Sequence, residues 1–385
     1  MKKILVTAST FPRSMDDTEP RFIYDLCKEY KKYYDVTVLV PGAPGALKYE
    51  EMEGIHVIRY DYFPIKKLQT LCYPGAIVPR IKEKKIRGLL VPFLFISMYY
   101  NIRKIIKEFD FVHSNWIIPQ GIIQGFFNKP YVLSGLGGDV TSLNKGIVKK
   151  LKAKAINNAS YITVVSEDLK KELKEVYGEE NVEVIPMGCS LDKFNPNNRI
   201  ENLFDQGDKK TILFVGRLAE KKGAKYLIEA MNEIDAKLII VGDGPERESL
   251  ETQSKKINAD IEFVGPKNKD ELSKMYASCD VFCAPSIIAK DGDKDGLPVA
   301  IVEAMASGAV VVASDVGGIS EIINNENGFL VKEKDVQGLK RKINKLLSDD
   351  LLRNTMSQKA RTTAERYDFV KIGERYKDIF DSLEK

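Results

Sequence analysis

The stretch that decides the fold is Thr211–Gly244, "TILFVGRLAEKKGAKYLIEAMNEIDAKLIIVGDG". Two continuous apolar runs, TILFV and LIIV, each end in glycine and flank a helical stretch. Short strands without polar alternation are buried on both faces, as in a parallel sheet covered by helices. Further along come "IEFVGP", "DVFCAPS", "AVVVAS" and "GFLVKE", each followed by a helical stretch. The first half repeats the scheme: "KILVTAS", a periodic stretch over 21–33, "DVTVLVP", "DFVHSN", a helical stretch after Pro119, "PYVLSGL", a basic helix over 148–157, "YITVVS", a charged helix over 167–177 and "VEVIPMG". Between the halves, Pro186–Lys210 is rich in Pro, Asn, Gly and charge and reads as a linker. The fold class is therefore α/β, with two doubly wound, Rossmann-like domains in tandem. Ligands of such sheets bind at the carboxyl ends of the strands near the switch in strand order, and the cleft between the domains is the expected site.

Length and composition agree. A chain of 385 residues exceeds what one core organises, and 44% apolar with 30% charged residues suits a globular protein. The net charge of +4 divides into +7 over residues 1–190 and −3 over the rest, so the first half favours anionic partners. Five scattered cysteines and two histidines lack metal-ligand spacing, which predicts a reduced, cytoplasmic protein without structural zinc. The apolar core of "MKKILVTAST" is too brief for a signal segment. The longest apolar run, Leu89–Tyr100, falls short of the roughly 20 residues that cross a bilayer. Ahead of it stand Arg80, Lys82, Lys84, Lys85 and Arg87. The pair predicts peripheral contact with an anionic membrane surface, and reads equally as a solvated basic loop leading into a core helix.

Candidate site residues concentrate in the second half. In "KDGDKDGLPVAIVEAMASGAVVVAS", Lys290–Ser314, Pro298 is suited to the first helical position, so the N–H groups around Gly296, Leu297 and Ala300 form a phosphate seat. Glu303 follows on a helix that is apolar all round, where an unpaired carboxylate would cost several kcal/mol. It is expected to meet ligand hydroxyls or a fixed cation; the alternative is a carboxylate reaching solvent at a helix edge. In "FVGRLAEKKG", Phe214–Gly223, Arg217 and Lys222 aim two cations at the mouth of the sheet, unless a salt bridge such as Arg217–Glu220 uses them. "VGDGPERESL" has Arg247 where a dinucleotide fingerprint needs glycine, and no phosphate-loop motif occurs, so nicotinamide binding is disfavoured. The Asp291–Asp293 pair has no histidine near it and reads as a solvated loop. In the first half, "SGLGGDV", Ser134–Val140, lets backbone approach a ligand. Asp139 there is either a helix N-cap or a carboxylate facing the cleft, and His113, which ends its strand in the same layer, either faces the same space or is a structural histidine at a strand end.

In order and spacing these motifs resemble the retaining nucleotide-sugar glycosyltransferases of family 4, which have the GT-B fold of two Rossmann-like domains facing each other across a cleft. The likeness is carried by "FVGRLAEKKG", "VGDGPERESL", "FVGPKNKDELSKMYASCDVFCAPS" and "DGLPVAIVEAMASGAVVVASDVGGISEII", with "VIPMGCSLDKFNP" between the domains. More weakly, "TFPRSMDDTEPRFIYDL" and "DFVHSNWIIPQG" carry it in the first. The resemblance implies an acceptor domain over 1–190, a donor domain over 191–365 and a helix over 366–385 returning to the first. It implies that Arg217 and Lys222 hold the donor pyrophosphate, with Gly216, Gly265, Pro266, Gly296, Leu297 and Pro298 around it. Glu303 would bind the ribose, and Asp295 the donor sugar. Asp139 would stand at the reacting centre, with Arg21, His113, Trp116, Gly137 and Gly138 toward the acceptor. No metal, other cofactor or nucleic acid is implied. The expected reaction moves a hexose-type sugar from a UDP- or GDP-sugar to a glycan or lipid-linked acceptor on the cytoplasmic side.

Two departures stand out. Asp295 replaces the usual glutamate, and "LGGD" replaces H-G-x-D, so Leu136 stands where the family has histidine. The double-glycine loop that many relatives carry after the first strand is absent too. Loss of that histidine keeps open a second expectation, a catalytically silent nucleotide-sugar-binding partner of another transferase.

Overall fold

In a computed structural model the described residues are 1–14, 17, 21–290 and 292–383. Contacts divide the chain into two compact units, Met1–Pro186 with Phe369–Lys385, and Met187–Asp368.

Among the described residues the first unit carries eight strands: β1 (Lys3–Thr7), β2 (Asp35–Pro41), β3 (Tyr49–Met52), β4 (Ile55–Tyr60), β5 (Phe111–Asn115), β6 (Tyr131–Gly135), β7 (Tyr161–Val164) and β8 (Val182–Val184). Their order is β3-β4-β2-β1-β5-β6-β7-β8, parallel except for the antiparallel β3–β4 edge. Strand order reverses at β1 and β5, whose carboxyl ends are Thr7 and Asn115. The hairpin Tyr49–Tyr60 is not among the elements expected from sequence. Its outer strand, YEEM, has two adjacent glutamates, buries only Met52 and sits at an edge, so it lacks the continuous apolar run that marks the inner strands.

The second unit carries β9 (Lys210–Val215), β10 (Ala236–Val241), β11 (Asp260–Gly265), β12 (Val281–Ala284), β13 (Val310–Ser314) and β14 (Gly328–Val331), in the order β11-β10-β9-β12-β13-β14, all parallel. This is the doubly wound order, with its switch between β9 and β12. Alternate residues feed two cores. Leu213, Ile239 and Val311 face one, whereas Ile212, Phe214, Leu238, Ile240, Val310 and Val312 face the other. Burial on both faces is why the runs Ile212–Val215, Leu238–Val241, Val281–Ala284 and Val310–Ala313 are continuously apolar.

The Phe369–Ser382 helix belongs to the first unit, where Phe369, Ile372, Tyr376, Ile379 and Phe380 enter the same core as β1, β2 and the Phe22–Tyr30 helix. Leu89–Tyr100 belongs to a longer helical run than its twelve apolar residues suggest. With flanking turns the run extends over Lys85–Glu108, 24 residues, long and apolar enough by length and composition to cross a membrane. Its central helix, Val91–Ile105, buries Leu94, Met98 and Ile102 along one face and contacts β2 and β4.

Candidate functional site

In the second unit, the turn after β9 carries Gly216, Arg217 and, one short turn later, Lys221 and Lys222. Gly223 closes that turn with φ +64°, and a Cβ there would lie 1.9 Å from the Pro285 carbonyl just beyond β12. Only glycine allows this approach, and it holds the two lysines beside the loop leading from β12. Lys222 Nζ lies 2.8 Å from Asp295 Oδ2, Lys221 Nζ lies 3.6 Å from Oδ1, and the Ser286 hydroxyl donates to Oδ2 at 3.1 Å. Lys221 also reaches Asp293 Oδ1 at 3.2 Å. From the other side, Gly317 (φ +60°) brings the loop after β13 so close that a Cβ would lie 2.1 Å from the Asp295 carbonyl. Burial pushes the Asp295 carboxyl up, but Lys222 and Lys221, with the Lys222 and Ser286 hydrogen bonds, outweigh it and hold the group below the ordinary carboxylate range. Burial would lower Lys221, but Asp295 and Asp293 keep it above the ordinary lysine value.

Asp295 leads through Gly296 and Leu297 to Pro298, which is the N-cap residue in extended backbone (ψ 122°) of the Val299–Ala306 helix. The expectation from sequence had proline one position further on, inside the helix. The first-turn N–H groups of Val299 and Ala300 have no intrahelical partners by geometry, which gives this end its affinity for anions. One and a half turns on, Glu303 is 7% exposed. Its Oε2 accepts from the Tyr276 hydroxyl at 3.3 Å, and Lys269 Nζ lies 3.8 Å from Oε1. Burial and the adjacent carboxylate push the Tyr276 hydroxyl well above its ordinary value, so it remains a donor. Lys269 opens the helix Lys269–Ser278, fixed by an Asn268–Glu271 capping box, immediately after the β11 end at Gly265 and Pro266. Two clusters thus form: Lys221, Lys222, Ser286, Asp293 and Asp295, and beside the same helix Glu303, Lys269 and Tyr276. Lys221, Lys269, Tyr276 and Ser286 were missed from sequence. The doubled lysine in EKKG was the available signal for the first; the others follow from strand order.

In the first unit, Trp116 follows β5 with φ +73°, an uncommon value for a bulky side chain. Its ring meets Phe22 edge to face at 5.9 Å, and Arg21, the preceding residue, stacks over Tyr24. Leu136 and Trp116 pack on the rim of the same apolar core. Two expectations need correction. His113 does not face a ligand: it is fully buried, with Tyr30 Oη 3.0 Å from Nδ1 and Ser134 Oγ 2.7 Å from Nε2, and burial lowers its pKa to about 3. Asp139 neither N-caps a helix nor turns outward. Its carboxylate folds back to accept from the N–H groups of Ile117 (2.8 Å), Leu136 (3.1 Å) and Gly137 (2.9 Å), stapling the β6 loop to the segment after β5. Burial raises its pKa against these bonds. Gly137 (φ +152°) has nothing within 4 Å of a notional Cβ, and Gly138 begins the short helix Gly138–Thr141.

Among the described residues no group of three or more His, Cys, Asp or Glu side chains is arranged to hold a metal. Asp291 of the Asp291–Asp293 pair lies outside them, as do Met15, Asp16, Thr18, Glu19 and Pro20 of the Thr10–Leu26 motif.

Residues 196–363 match the family described as glycosyl transferases group 1, and residues 20–193 match glycosyltransferase family 4. An uncharacterized glycosyltransferase of Methanocaldococcus jannaschii, MJ1607, is 32% identical over 359 residues, 86% of each chain. The chain belongs to the family 4 glycosyltransferases. This glycosyltransferase is also 27% identical over 368 residues to a putative teichuronic acid biosynthesis glycosyltransferase, TuaC, of Bacillus subtilis, covering 88% of this chain and 87% of that one. Its fold matches Anabaena HepE, solved with UDP-glucose, with a TM-score of 0.73 at 21% identity, over 99% of this chain and 100% of that one.

Proposed function

We propose that this glycosyltransferase retains anomeric configuration while moving a sugar from a UDP-sugar to a glycan or lipid-linked acceptor on the cytoplasmic side. The observation that carries the reading is the pairing of Lys222 with Asp295 at the carboxyl ends of β9 and β12, next to the amino end of the Val299–Ala306 helix. Lys222 and Arg217 supply cationic charge for a diphosphate, and the helix end adds N–H donors. Asp295 keeps Lys221 and Ser286 when Lys222 turns to phosphate, so its carboxylate remains oriented for a sugar hydroxyl. Glu303, held by Lys269 and Tyr276, is a fixed acceptor for ribose hydroxyls. UDP-glucose in the HepE complex and teichuronic acid biosynthesis in the name of TuaC support the choice of donor and acceptor class.

In the reaction, the acceptor oxygen bonds to the anomeric carbon as the bond from that carbon to the β-phosphate oxygen breaks, its electron pair leaving with the phosphate. The acceptor proton passes to the leaving phosphate on the same face of the sugar. Cations fixed where charge develops lower the barrier most, and that role falls to Lys222 and Arg217. In the first unit, Asp139 fixes the backbone at Leu136 and Gly137. The test is release of nucleotide from a panel of UDP- and GDP-sugars, with and without acceptor extract. Turnover confined to UDP-sugars is expected. Binding without turnover under every condition would favour the silent-partner reading.

A further inference from the structure

The outward face of the helical run Lys85–Glu108 carries a stripe that a folded core does not explain. Ile86, Leu89, Phe93, Ile96 and Tyr100 recur at intervals of three and four and are each 47% to 70% exposed. The opposite face, at Leu94, Met98 and Ile102, already fills the core side, so the outer stripe is a second apolar face. A connected apolar surface of this kind marks a contact site. It is broadened by the loop after β4, where the Phe63 ring meets Phe93 edge to face at 5.0 Å and Ile65 and Leu68 are exposed.

Charge brackets the stripe. Lys82, Lys84 and Lys85 are exposed ahead of it, Arg103, Lys104 and Lys107 continue the exposed face beyond Tyr100, and Lys66 and Lys67 stand on the adjoining loop. Arg80 and Arg87, part of the basic cluster seen in the sequence, are instead engaged by Glu83 and by backbone carbonyls. An apolar stripe with cations at both ends fits the boundary between acyl chains and anionic headgroups. It does not fit a second copy, because a two-fold contact of this patch with itself brings like charges together at either end.

We propose that this face is a docking surface for an anionic lipid bilayer, with the helix lying in the interface plane and its stripe immersed to the level of the first acyl carbons. Although the run has the length to span, a spanning helix would have to leave β2 and β4, exposing the face that Leu94, Met98 and Ile102 bury. Because β4, β2, β1, β5 and β6 run parallel, the loop after β4 leaves the same carboxyl end of the sheet that bears Trp116 and Gly137. The surface thereby meets the acceptor end of this unit, which matters for transfer only if the acceptor is lipid-linked as proposed above; the docking itself does not rest on that reading.

The test is flotation of the full chain with vesicles of equal parts phosphatidylglycerol and phosphatidylcholine, against phosphatidylcholine alone. The wild type is expected to float with the anionic vesicles and to be released by about 0.5 M salt, which screens surface charge. Phe93→Gln with Ile96→Gln is expected to weaken flotation at least tenfold, and Lys82→Ser, Lys84→Ser and Lys85→Ser together by about tenfold or more. An Ile96→Trp chain should show blue-shifted emission on adding anionic vesicles, which reports immersion independently of any loss of fold. Unchanged flotation of the Phe93/Ile96 variant, or an Ile96→Trp emission that does not move, overturns the proposal. So does a wild-type dimer that the same two substitutions dissociate. UDP affinity of these variants, measured without vesicles, is expected to match wild type; a wild-type chain that floats with anionic vesicles but binds no UDP would count against the donor site alone.

Discussion

At Asp295 one carboxylate holds two lysines, and its short side chain is long enough to do so, since Lys222, Lys221 and Ser286 all reach it within 3.6 Å. Asp295→Asn is expected to leave Lys221 with Asp293 and Lys222 without its closest partner, costing about 2 kcal/mol in chemical denaturation, below the cost of breaking a fully buried pair because both amines are partly exposed. The pH dependence follows from the depressed carboxyl. Its contribution is fully present above the unfolded value of about 4 and is lost as pH falls through the lower folded value. The stability gap between wild type and Asp295→Asn should therefore be flat near neutrality and narrow below about pH 4; a gap unchanged into that range would contradict the pairing. Glu303→Gln tests the second cluster, since an amide keeps the shape but loses the charge that orients Lys269. UDP affinity by calorimetry should fall about tenfold, equivalent to about 1.4 kcal/mol, whereas Tyr276→Phe, which removes only a neutral donor, should cost much less. Sequence alone disclosed the carboxylates but not their partners. Glu303 stood out because its helix is apolar, while Lys269 looked like one of many surface lysines until strand order brought the β11 end beside that helix.

Among elements, the Phe369–Ser382 helix shows how far a local reading reaches. Its 3–4 periodicity is plain, but nothing nearby tells which core receives it. The answer lies in a buried chain of polar groups. Tyr376 Oη lies 3.1 Å from both Ser134 Oγ and Thr163 Oγ1, and Ser134 Oγ joins His113, which joins Tyr30. That chain also explains the misread histidine: a strand-end histidine looks alike in sequence whether it meets a ligand or a tyrosine far along the chain. Gly373 packs so closely on the Phe22–Tyr30 helix that a Cβ would lie 2.5 Å from Glu29 Cβ. Helix propensity alone says Gly373→Ala should stabilise by up to about 1 kcal/mol. Overpacking costs about 1–3 kcal/mol, so the net effect is expected to be destabilising, read as a lower urea midpoint. A raised midpoint would mean that the two helices separate freely. The inner strands were legible because burial on both faces gives them continuous apolar runs; the β3–β4 edge was not, since half its residues face water.

At the scale of the molecule, the two units have separate hydrophobic cores, and all the residues proposed to hold the donor lie in the second, Met187–Asp368. A ligand stabilises what it binds by RT ln(1 + [L]/Kd), about 2.7 kcal/mol at a hundredfold excess over Kd. Calorimetry of the full chain is therefore expected to resolve two transitions, with UDP raising one and leaving the other in place. Assignment follows from the variants: Asp295→Asn should lower the transition that UDP raises, and Gly373→Ala the one it does not, because each substitution touches one core only. A single transition shifted as a whole by UDP would mean that the units unfold cooperatively. UDP raising the transition that Gly373→Ala lowers would move the donor site into the first unit and remove the basis for assigning Lys222, Asp295 and Glu303 to it.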